Sequence, residues 1–63
     1  MESKILNPEQ ALKLLKQGIE IMVKPYDDDW DNFTGITIND FEEETEKEIL
    51  EYLEEKEKIE IWY

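Results

Sequence analysis

Sixty-three residues make one small domain at most, and a formal charge of −11 arises from 18 acidic residues set against seven lysines. Arginine, histidine and cysteine are absent, which excludes a disulfide framework, a zinc site of Cys or His, imidazole catalysis and a thiolate nucleophile. A sequence pI near 4.2 repels nucleic-acid phosphate and anionic lipid surfaces alike, so neither direct nucleic-acid binding nor membrane binding is expected.

The apolar share of 40% allows a small core, and a domain of this size gains stability by oligomerising. So short a chain leaves little room for an active site supported by surrounding side chains; an enzyme is not expected, nor is a cofactor. No apolar run approaches the roughly 18 residues of a membrane span. Met1-Glu2-Ser3-Lys4 does not open a signal peptide, so the expected compartment is the cytoplasm. Charge is unevenly distributed. Residues 1–26 carry Glu2, Glu9 and Glu20 against Lys4, Lys13, Lys16 and Lys24, a net +1; residues 27–63 carry the remaining acids against Lys47, Lys56 and Lys58, a net −12. That asymmetry bears on partners rather than on fold.

In chain order, Asn7-Pro8-Glu9-Gln10 opens a helix. Asn7 caps it, Pro8 suits its first position, Gln10 completes a capping box, and Leu6 and Ala11 stand where a hydrophobic staple sits. Ala11, Leu12, Leu14 and Leu15 form its apolar face, Lys13 and Lys16 suit its C-terminal end, and Gly18 stops it, so a helix is predicted over about residues 8–17. Residues 19–24 alternate strictly. Ile19, Ile21 and Val23 face one way and Glu20, Met22 and Lys24 the other: a half-buried strand ended by Pro25. A polar turn follows, and residues 33–38 return as a second strand with Ile36 and Ile38 inward, antiparallel to the first because no crossover helix fits between them.

Asn39 with Glu42, or Asp40 with Glu43, has capping-box spacing, and Phe41, Thr45, Ile49, Tyr52 and Leu53 lie on one helical face. The second helix is predicted from about 40 to 55. Residues 58–63 alternate again, with Ile59, Ile61 and Tyr63 inward and Trp62 on the opposite sheet face. The expected fold is α+β in the order α-β-β-α-β, a three-stranded antiparallel sheet with two helices packed on it.

Alternate acids at Asp27, Asp29 and Asp31 imitate the opening of a calcium loop. The match fails beyond them: Asn32 stands where glycine is needed, Ile38 where the closing glutamate belongs, and the flanks are strands, so no metal is expected. Paired glutamates around a solvated helix have nothing to separate their pKa values and are not an acid–base pair. The acid-rich half remains. Its self-repulsion costs compact-state stability, and rows of carboxylates on a rigid element imitate the phosphates of a DNA strand and steer a protein onto a basic DNA-binding groove. A plain acidic interaction module is the other reading. Trp30, inside the aspartate run, and Trp62 are surplus to the core and read as partner or dimer contacts.

The run Ile19-Glu20-Ile21-Met22-Val23, then Asp27-Asp28-Asp29, then Gly35-Ile36-Thr37-Ile38-Asn39-Asp40-Phe41-Glu42, then Glu48-Ile49 and Leu53, resembles the small dimeric uracil-DNA glycosylase inhibitors of certain tailed phages. The resemblance spans about residues 19–63 and leaves the first helix outside. It implies a homodimer that mimics DNA in an infected bacterial cell. It also implies that Phe41, followed by Glu42, helps form an apolar pocket for the leucine of the enzyme's DNA-intercalating loop. The family's aromatic one turn later is Thr45 here. A glycosylase grips phosphates and wedges an apolar side chain into the base stack. Its inhibitor therefore needs acids, for which Asp31, Asp40, Glu42, Glu43 and Glu46 are candidates, and an apolar cup, for which Phe41 with Trp30 or Tyr52 are candidates. The expected partner is a host DNA-binding enzyme, with uracil-DNA glycosylase first. An inhibitor of another anti-phage defence protein and a small adaptor on a transcription protein are the alternatives.

Overall fold

A computed structural model describes residues 2–27, 30 and 32–63. The chain runs β1 (Ser3–Ile5), α1 (Pro8–Lys16), β2 (Ile21–Pro25), β3 (Thr34–Ile36), a 3-10 turn (Ile38–Phe41), α2 (Glu46–Glu54) and β4 (Lys56–Trp62). The four strands form one sheet in the order β1-β4-β2-β3, and every neighbouring pair is antiparallel. The α+β class matches the expectation; the strand number does not. β1 is the unforeseen strand. Its three residues are all exposed and too short to show a two-residue period, so only pairing with β4, Ser3 opposite Trp62 and Ile5 opposite Glu60, reveals it. The C-terminal strand is consequently central rather than an edge.

α1 forms as its caps dictate. Asn7 Oδ1 accepts from Gln10 N at 2.8 Å and Gln10 Oε1 accepts from Asn7 N at 3.0 Å. At the other end Gly18 takes φ +85°, Gly18 N donates to Leu15 O and Ile19 N to Leu14 O. This paired closure needs a left-handed residue, which glycine adopts without a Cβ clash.

The second helix is shorter than its apolar spacing suggests. Asn39 and Asp40 do not cap it; Thr45 does, its Oγ1 accepting from Glu48 N at 3.2 Å while Glu48 Oε1 accepts from Thr45 N at 3.0 Å. Asp40 instead closes the 3-10 turn, its carboxylate accepting from Thr37 N at 2.8 Å. A helix running through 40–48 would stack Asp40 on Glu44 and Glu42 on Glu46, and like charges four apart destabilise a helix. The threonine cap starts the helix beyond that run.

Both helices pack on one sheet face. Leu6, Ala11, Leu12 and Leu15 meet Ile49 and Leu53 over Ile21, Val23, Ile36 and Ile59, with Phe41 closing one end. Ile19, Ile38 and Ile61 are partly buried against this core. Tyr63, expected inward, is 66% exposed because it lies past the end of β4. Lys24, expected on a solvated face, is only 5% exposed and pairs with Glu57.

Candidate functional site

The 3-10 turn and the segment that follows it hold Phe41 at the boundary of core and surface. Its ring is 7% exposed and meets Tyr52 edge-to-face, with centroids 5.2 Å apart and planes at 67°. Such a pair contributes beyond simple burial. Tyr52 lies one helical turn before Lys56, whose Nζ stands 4.4 Å from the ring centroid. Burial pushes the Tyr52 phenol above its ordinary pKa, and the nearby charges of Asp40 and Glu44 push the same way.

Two open clefts share the Phe41 ring. One, of about 390 Å³, has an apolar floor of Leu12, Ile38, Phe41 and Ile49 and a rim carrying Glu42, Glu44 and Glu46 together with Lys16 and Asn39. The other runs along β3 between Asp40, Glu44 and Tyr52. Glu44 borders both. It is held by the backbone bond from Glu44 N to Phe41 O at 3.0 Å. Glu46 pairs with Lys16 of α1 in an exposed contact, so one rim carboxylate is partly compensated. The other rim acids stand in solvent.

Of the residues the sequence singles out, Asp40, Phe41, Glu42, Glu46 and Tyr52 gather here. Glu43 is exposed but lines neither cleft, and Trp30, 83% exposed on the loop after β2, lines neither as well. Tyr52 is the aromatic that meets Phe41. Asp31 lies outside the described residues, as does Asp29 of the aspartate run; among the described residues no group of three acids is placed to hold a metal. No helix among them is long and apolar enough to cross a membrane. Sequence reasoning missed Glu44, Ile38, Leu12 and Ile49. The available signal was Thr45-Glu46-Lys47-Glu48, a second capping box whose use leaves residues 42–45 as a loop over the core.

No family model, curated protein or solved structure matches this chain.

Proposed function

We propose that the chain is a DNA-mimicking inhibitor that occupies the DNA-binding groove of a host DNA-processing enzyme, uracil-DNA glycosylase first among them, in the cytoplasm of an infected bacterium. The observation that carries the reading is the cleft at Phe41: an apolar floor bordered by Glu42, Glu44 and Glu46. A base-flipping enzyme presents cationic phosphate contacts around an apolar wedge, and the cleft offers the complement of both. The net −12 of residues 27–63 supplies the long-range field that steers the encounter. Inhibition is by occupancy, with no catalytic step. Asp40 supports the site through its bond to Thr37 N rather than as a free phosphate mimic. The resemblance to the phage inhibitors supplies the name of the target.

A second copy belongs to this reading. The sheet ends in β1 and β3, each with one unpaired side, and pairing an edge removes open backbone groups. Pairing through β1 leaves the Phe41 cleft clear, whereas β3 borders it. Equilibrium sedimentation is expected to give a dimer; a 7.6 kDa species alone at about 10 μM would remove the dimer from the account.

Excision of uracil from a labelled oligonucleotide by a bacterial glycosylase tests the function. The expected result is loss of excision near equimolar protein, relieved as salt rises. Full excision at about tenfold excess of the chain would end the glycosylase reading. Capture of another DNA-processing enzyme, competed by DNA, would retain mimicry with a different target, and capture that DNA does not compete would favour the adaptor.

A further inference from the structure

The sheet has a second face, which no helix covers. Strand register places Gly35, Met22, Glu60 and Ile5 side by side across β3, β2, β4 and β1. Trp62, 39% exposed, stands two residues beyond Glu60 on the same face, and Tyr63 follows it. Glu20, Met22, Trp62 and Tyr63 line a hollow of about 270 Å³. Of these only Glu20 is acidic; Glu60 stands beside the hollow, opposite Met22 and bonded to Trp62. Trp62 Nε1 donates to Glu60 Oε1 at 2.9 Å, which sets the carboxylate against the indole and leaves its second oxygen for another donor. The Glu20 carboxylate lies directly over Gly35: a Cβ there would stand 2.7 Å from Glu20 Oε2 and 3.0 Å from its Cδ. Glycine within a strand weakens it, and close approach of another group is a recognised reason for one. No lysine among the described residues pairs with Glu20.

Aromatic edges and faces beside two carboxylates match one side chain best. A guanidinium stacks on indole or phenol while its N–H groups donate to carboxylates, and it sheds water more readily than an ammonium. We propose that this hollow receives an arginine side chain of a partner protein, presented between apolar residues that cover Ile5 and Tyr63. The occupant is not a second copy. This chain has no arginine, so a second copy cannot supply the guanidinium. The hollow lies across the sheet from the core that supports the Phe41 cleft, so the inference stands independently of glycosylase inhibition.

The test uses the full chain with Trp30→Phe, which leaves Trp62 as the fluorescent reporter, titrated with acetyl-Leu-Arg-Leu-amide and with the same peptide carrying citrulline. Saturable change in Trp62 emission is expected with the arginine peptide and about tenfold weaker binding with citrulline. Amide NMR shifts are expected at Glu20, Met22, Glu60 and Trp62. Glu20→Gln is expected to weaken binding about tenfold. Gly35→Ala is the sharper variant, because it displaces the Glu20 carboxylate without altering net charge; it too is expected to weaken binding several-fold, with the circular dichroism spectrum retained. Equal affinity for citrulline, an unaffected Gly35→Ala, or shifts confined to the Phe41 cleft would each overturn the proposal.

Discussion

Phe41 serves two purposes at once, and its substitutions should separate them. Its ring closes one end of the core against Tyr52 and forms the floor of both acidic clefts. Phe41→Ala should cost about 3 kcal/mol or more in denaturant unfolding, the range for a buried phenylalanine. Phe41→Leu keeps the floor apolar at about 1 kcal/mol, so it is the variant in which lost inhibition can be read without lost fold. A loss near zero for Phe41→Ala would show that the ring does not close the core. Tyr52 beside it gives a pH signature. Its phenol is held above the ordinary tyrosine value of 10.0, chiefly by burial and then by Asp40 and Glu44. A group whose pKa is raised on folding contributes stability fully present below the unfolded value and lost as pH rises through the folded one. Alkaline destabilisation starting near pH 10.0 should therefore be smaller in Tyr52→Phe, measured by urea midpoints across that range. Identical alkaline profiles would remove the phenol from the account.

At the scale of elements, the decisive local competition is over where α2 begins. Asn39, Asp40 and Thr45 all have capping chemistry, and the sequence alone does not rank them. The acid run decides, because a helix begun at Asp40 would stack carboxylates four apart. Thr45→Ala is expected to cost about 1 kcal/mol, whereas Asn39→Ala should stay within about 0.5 kcal/mol; the reverse ranking in thermal unfolding would mean that the helix starts earlier. Bonds from Thr45, its backbone N–H foremost and its hydroxyl next, hold the Glu48 carboxyl below its ordinary pKa. The stability this gives is present above pH 4.5 and lost as pH falls through the folded value, so the acid limb should flatten in Glu48→Gln and only in part in Thr45→Ala, which keeps the backbone donor.

The elements with strong period were legible. α1 carried its own caps and stop, and β2 and β4 alternated over enough residues to show their inward faces. β1 was not, since three exposed residues contain no pattern and its existence depends on a partner 57 residues away, Lys4 opposite Ile61. Part of the site was legible too: Asp40-Phe41-Glu42 is a visible step of acids around an aromatic. Glu44 was not, because its position follows from the loop that Thr45 creates. Trp30 is legible only as an exposed side chain. An aromatic in an acidic turn signals exposure but gives no direction.

At the scale of the whole molecule, charge governs. A net −11 on 63 residues repels itself, and among the described residues the ion pairs of Lys16 with Glu46 and Lys24 with Glu57 offset little of it. Salt should act in opposite directions on fold and function. Screening is expected to raise the melting temperature of the free chain while weakening its hold on a basic groove. Two curves of the same sign would separate binding from the acidic field. The most direct measurement of mimicry is displacement: a fluorescent uracil-containing duplex bound to a catalytically inactive glycosylase, titrated with the chain and with its Glu42→Gln/Glu44→Gln variant at low and high salt. The account predicts stoichiometric release of DNA at low salt, weaker release by the variant, and a smaller difference between them at high salt. DNA that remains bound throughout the titration would contradict it.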